Sequence, residues 1–267
     1  MSDWLHSLPI GWMALVVFGV TALVAAAIYV GVTVLSVGER ARSLKAVSPG
    51  MLPPLGILFA VFIAFTASQV WSDNDRASSV VDREASALQA VVLLAAAFPG
   101  EPEARLRSLI GSYIKDVVAR EWPMMARRTA SLRMIPSSLA EALQLTLALT
   151  PSNQGQQTAQ REITSALENA LDARRQRIIV SQSAVNWLKW LCLCLQAVCA
   201  LLAIAMVHSD NRLASAIAIG LFGIGVAASL LLIIAYDRPF VGELSVGPTR
   251  LLQVMPELEA GQHGIKP

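Results

Sequence analysis

Charge is scarce in this chain. Of 267 residues only 15% are Asp, Glu, Lys or Arg, and the mean hydropathy is +0.55. Soluble domains carry roughly 25% charged residues. The deficit is local: residues 10–37, 55–70, 191–207 and 213–236 contain no charged side chain at all. A bilayer core of ~30 Å is crossed by about 20 apolar residues in a helix. Backbone survives there only when it satisfies its own hydrogen bonds. Four such runs exclude a soluble globular domain and place both termini on one side of a membrane. The net charge of +2 excludes the basic footprint of a nucleic-acid binder.

Residues that carry chemistry are equally few. His6, His208 and His263 lie near span ends or in the tail, and no pair has ligand spacing. Cys192, Cys194 and Cys199 all fall in the third run with no histidine among them, so they read as small buried apolar residues. No metal site and no cofactor is expected. Intramembrane catalysis needs polar groups inside the spans. Here the runs hold only Thr, Ser, Gln and Cys, and Lys189, one turn inside the start of the third span, can snorkel. The expectation is therefore that the protein is not an enzyme. The first run exceeds a signal-peptide core of ~7–15 residues, and Met1 to Pro9 lacks Lys and Arg. It reads as a retained span, and no lipidation motif is visible.

What is present is helical. No stretch alternates like a strand. Residues 38–52 form a short loop with Arg40, Arg42 and Lys45, and Pro53-Pro54 suits the first turn of the second span. No Gly or Pro occurs from Ile57 to Phe98, and Val70, Ala77, Val81, Leu88 and Val92 keep one stripe. This predicts one helix over residues 54–98, ~65 Å long at 1.5 Å per residue, with its membrane part ending near Trp71. Pro99-Gly100-Glu101-Pro102 ends it. A helix over residues 103–121 buries Leu106, Leu109, Ile110, Tyr113 and Val117, and Trp122-Pro123 reads as its breaker. Ser138 to Glu141 reads as a capping box. From about Gly155 the pattern Ile163, Leu167, Leu171, Ile178 runs towards the third span with no breaker. That predicts a second long helix, antiparallel to the first and continuous into lipid. The predicted fold is an all-α integral membrane protein. Its four transmembrane helices are residues 10–37, 54–71, 186–207 and 213–236. A helical aqueous domain covers residues 72–183, and a tail covers 237–267.

Positive charge at membrane edges sets orientation. Arg76, Arg83, Arg174, Arg175, Arg177, Arg238 and Arg250 lie on the terminus side, against Arg40, Arg42, Lys45 and Arg212 opposite. The larger count predicts cytoplasmic termini and a cytoplasmic aqueous domain. The first span, with basic residues only on its far flank, argues the reverse.

The second span carries the candidate functional surface. Wound at 100° per residue, Leu58, Phe62, Phe65, Gln69, Ser72, Arg76, Ser79 and Arg83 share a ~100° sector. Around a symmetry axis this face makes a hydrophobic neck opening into a basic vestibule. Such necks gate by dewetting, and cationic rings favour anions. The competing reading is ordinary packing of the phenylalanines and solvation of the arginines. Glu84 sits at the edge of the apolar stripe and needs a partner. Arg174 to Arg177 on the antiparallel helix can supply one in a structural ion pair. Gly19, Gly31, Gly220, Gly223 and Gly225 allow close helix approach.

The order of these features resembles a known family. Two spans precede a long helix with Trp71 and Asp82-Arg83-Glu84-Ala85. Then come Tyr113, Glu121-Trp122-Pro123, two more spans and Asp237-Arg238-Pro239-Phe240-Val241-Gly242. This is similar to the bestrophin-like domain of bacterial membrane proteins. The resemblance implies distant kinship to bestrophins, which are pentameric anion channels with cytosolic termini and an apolar neck on the second span. It implies residence in a bacterial inner membrane, a homo-oligomer surrounded by lipid, and inorganic anions as partners. No acidic calcium-clasp cluster of the animal bestrophins is present. The leading expectation is a homo-oligomeric ion channel that conducts anions. The alternative is a non-conducting membrane scaffold or sensor whose aqueous helices bind a protein partner.

Overall fold

The computed structural model describes Asp3–His6, Leu8–Leu35, Pro49–Arg133 and Ile135–Pro256. Arg40, Arg42, Lys45 and His263 lie outside the described residues. The described residues form helices and no strand. In chain order these are α1 (Asp3–His6), α2 (Ile10–Leu35), α3 (Leu52–Ala95), α4 (Glu101–Asp116), a π-helical stretch (Val117–Glu121), α5 (Trp122–Ala126), α6 (Ser137–Ala148), α7 (Gln154–Ser181), α8 (Trp187–Val207), α9 (Arg212–Tyr236) and α10 (Thr249–Gln253). Four of them, α2, α3, α8 and α9, are long and apolar enough to cross a membrane. The protein is an all-α, multi-pass integral membrane protein.

The chain divides into two compact units, Met1–Asp73 with Ala184–Ser245, and Asn74–Ser183 with Val246–Pro267. The first is the membrane unit. Its core joins Phe59, Val70, Leu193, Val226 and Ile233, and the Phe59 and Phe222 rings stand 5.7 Å apart. A second cluster joins Ala25, Val32, Leu201, Ala205 and Ile219. Helices α2 and α9 run antiparallel and approach closely, since a Cβ on Gly223 would lie 3.8 Å from that of Ala25. The other span glycines have open space around them. Cys194 and Cys199 are exposed and Cys192 is partly so, which corrects the expectation of burial: they face outward, where lipid supplies the apolar surroundings. Trp4, Trp12, Trp71 and Trp187 are exposed at the terminus end of the bundle, the level at which amphipathic rings favour the membrane–water interface.

The second unit is built on the aqueous half of α3 and on α7. These run antiparallel, as the Arg83–Gln176 hydrogen bond and the one from Gln156 Nε2 to the Ala97 carbonyl show. Val80, Leu88, Leu106, Ile110, Leu139, Ile163 and Leu167 fill the space between them, α4 and α6. The chain enters α4 through Gly100 at φ 97°, a left-handed conformation that favours glycine.

Three local expectations need correction. Helix α7 does not continue into the third span. It ends at Ser181, and α8 starts afresh at Trp187 with the Asn186 side chain accepting from the Leu188 amide at 3.2 Å. Trp122-Pro123 does not break the chain either. Proline occupies the first turn of α5, where its missing N–H costs nothing, and the π stretch absorbs the change of register. Finally, no capping box forms at α6: its N-cap is Pro136, and Glu141 pairs instead with Arg105.

Candidate functional site

The face picked out on α3 divides in two. Leu58 and Phe65 are 62% and 75% exposed. Ser72, Arg76 and Ser79 further along the helix are exposed as well. The other members have partners. Phe62 is partly buried against the membrane core, Gln69 accepts from the Lys189 ammonium, and Arg83 donates to Gln176 Oε1 at 2.9 Å. Val61 and Ser68 are exposed too. The open stripe is thus Leu58, Val61, Phe65, Ser68, Ser72, Arg76 and Ser79, at spacings of three and four. It is centred slightly to one side of the sector expected from sequence.

Beside this stripe, within the aqueous unit, lies a groove of about 800 Å³ between α3 and α7. Asp75, Asp82 and Arg83 line one wall, and Glu162 and Asp172 the other. Asp82 is paired with Arg250 of α10. Four carboxylates and one guanidinium, Arg83, therefore line the groove. Sequence reasoning missed this groove because its walls are about eighty residues apart in the chain. No group of His, Cys, Asp or Glu among the described residues could hold a metal ion.

Glu84 is fully buried. The Arg177 guanidinium donates to both its oxygens, Nε to Oε2 at 2.6 Å and Nη2 to Oε1 at 3.1 Å. The Tyr113 hydroxyl donates to Oε1 at 2.5 Å. Arg177 also reaches Glu121 Oε2 at 3.0 Å, and Arg174 Nε donates to Glu121 Oε1 at 2.7 Å. The guanidinium carbon of Arg177 lies 5.1 Å from the centre of the Trp122 ring. The π-helical stretch brings Glu121 and Trp122 to the same guanidinium. Two carboxylates and two guanidiniums balance, so the cost of burying charge is offset within the cluster. Burial and then the Glu84 carboxylate push the Tyr113 hydroxyl well above its ordinary pKa. Burial alone would lower that of Arg177, but Glu84, Tyr113 and Glu121 together outweigh it and hold the guanidinium charged. Glu84, Tyr113, Glu121, Arg174 and Arg177 are joined in one network, which clasps α3, α4, the π stretch and α7 together.

A second clasp lies in the membrane unit and involves the motif at residues 237–242. Asp237 Oδ1 accepts from the Val185 amide at 2.6 Å, and Oδ2 lies 3.2 Å from His6 Nε2. Gly242 has φ 92°, and a Cβ there would stand 3.2 Å from the His6 carbonyl oxygen. Phe240 of the same motif is buried. The motif ties the end of α9 to the N-terminal segment and to the chain leading into α8.

The fold has solved counterparts. A bestrophin homologue from Klebsiella pneumoniae carrying a point mutation is 12% identical, with a TM-score of 0.70 over 91% of this chain and 97% of its own. Two point variants of a membrane protein are each 14% identical, with TM-scores of 0.67 over 94% of this chain and 99% of theirs. No curated protein matches the sequence. The sequence profile of the bestrophin-like domain matches residues 12–251, which hold the Glu84 cluster, Asp237 and the open face of α3, so the chain belongs to the bestrophin-like family.

Proposed function

We propose that the chain assembles as a homo-oligomer, a pentamer by kinship, into an ion channel of the bacterial inner membrane. The observation that carries this reading is the open stripe of α3. An aromatic and aliphatic face with Phe65 three-quarters exposed sits on a helix that continues into a polar, charged segment. Arranged around an axis, Leu58, Val61 and Phe65 form the hydrophobic neck, and Phe62 packs behind it. Ser68, Gln69 and Ser72 lie at its mouth. Arg76 then forms a ring of positive charge that selects anions. Arg83, bonded to Gln176, borders the vestibule.

The test is ion flux through the purified protein in liposomes under a KCl gradient, together with its mass in nanodiscs. The expected outcome is an oligomer whose reversal potential follows chloride. Phe65→Ala raises the flux by widening the neck, and Arg76→Glu moves selectivity towards potassium. Negligible flux in wild type and Phe65→Ala, with the oligomer intact, favours the scaffold reading. A monomer of 28.6 kDa removes the pore. The acidic groove favours a second reading: Asp75, Asp82, Glu162 and Asp172 would supply a cation-selective vestibule. A wild-type reversal potential following potassium would identify it.

A further inference from the structure

We infer that the membrane unit carries a binding groove for one acyl chain of an anionic phospholipid, in the leaflet opposite the chain termini. The groove runs between α2 and α9 and encloses about 410 Å³. Phe18, Ala22 and Ala26 of α2 line it, facing Ile219, Gly220 and Gly223 of α9. It exists because the small residues remove side-chain volume where the two helices meet. Its walls are almost wholly apolar, and neither the pore-lining stripe nor the two clasps use any of them.

Three observations identify the occupant. The first is length. From Phe18 to Tyr29 the groove extends about 16 Å along α2 at ~1.5 Å per residue, and half of a ~30 Å hydrocarbon core is about 15 Å. It is therefore about as long as one leaflet is deep, which a single acyl chain spans. The second is girth. Dividing the volume by that length gives a mean cross-section of about 25 Å². A helix of ~10 Å diameter has a section of about 80 Å². The groove admits a hydrocarbon chain and is too narrow for a helix of a second copy. The third is charge at one mouth. The Tyr29 hydroxyl lies 3.5 Å from the carbonyl oxygen of Arg212, the first residue of α9. Arg212 is exposed and has no ion-pair partner among the described residues. A cation at the end of an apolar channel, at headgroup level, complements a lipid phosphate.

The experiment is native mass spectrometry of the full-length oligomer after exchange into detergent containing either dioleoyl-phosphatidylglycerol or dioleoyl-phosphatidylethanolamine. Wild type is expected to retain the glycerol lipid preferentially. Arg212→Gln is expected to reduce that retention about fivefold, the value of one basic residue at a lipid surface. Gly220→Leu fills the groove, because a Cβ at Gly220 meets nothing within 4 Å, and is expected to reduce retention of both lipids. Ala22→Leu on the opposite wall provides the same block should Gly220→Leu fail to fold. Equal retention of the two lipids by wild type, unchanged in these variants, overturns the inference. So does a blocking variant that splits the oligomer while lipid retention stays constant, since the groove would then belong to a second copy.

Discussion

The Tyr113 hydroxyl donates to a carboxylate that a guanidinium already grips, and all three groups are shut off from water. Its proton is therefore held more tightly in the folded protein than in the unfolded chain. A group whose folded pKa is raised stabilises the fold below its unfolded pKa and loses that contribution as pH rises. For a tyrosine the loss begins near pH ~10 and proceeds at up to about 1.4 kcal/mol per pH unit. Tyr113→Phe removes both the proton and the hydrogen bond. The variant should be about 1–3 kcal/mol less stable than wild type near neutral pH, because Glu84 loses a donor. The gap should narrow above pH ~10. Denaturant unfolding of both proteins across the alkaline range checks this, and a constant gap would show that the hydroxyl keeps no raised pKa. Glu84 as a carboxylate in need of a partner was legible from its place beside Ala77, Val81 and Leu88. The identity of the whole cluster was not. Tyr113, Glu121 and Trp122 meet Arg177 only once the π stretch has set their register.

At the scale of elements, the absence of glycine and proline made α3 legible through lipid and water alike. The gap between α7 and α8 was not legible by the same rule, for no breaker marks it. It is set from a distance by Asp237, which accepts the Val185 amide, and locally by Asn186, which caps α8. Absence of breakers permits a helix, but it does not compel one where a remote acceptor competes for the backbone. The open stripe of α3 follows the same logic. Helical phase located it to within one residue of rotation, while neighbours such as Lys189 and Gln176 decided which members stay uncommitted. Continuity of α3 has an energetic signature. Ser79 is exposed, so Ser79→Ala should change stability by less than about 0.5 kcal/mol. Ser79→Pro removes a hydrogen bond and clashes with the preceding turn, at a cost of about 3 kcal/mol or more. Thermal unfolding in detergent compares the two, and equal effects would mean that α3 is already interrupted there.

For the whole molecule, the charge count predicts an aqueous unit on the cytoplasmic side. A single cysteine at the exposed position Gln157, with Cys192, Cys194 and Cys199 replaced by alanine, reports this. An impermeant maleimide should label it only after cells are opened. Labelling of intact cells would reverse the topology and show that the flanks of the first span outweigh the total count. The tryptophans add something that topology does not. Four of the six are exposed at one end of the membrane unit, and none stands at the Arg212 end. Indole rings hold their level in the interface, so the terminus end is moored by four rings while Tyr29 and Arg212 hold the other end. When the bilayer thickens or thins, the mismatch is then taken up first at the end with fewer anchors. Membrane thickness thus becomes a displacement of one leaflet against a fixed reference, felt first where α2 leaves the membrane and α9 enters it.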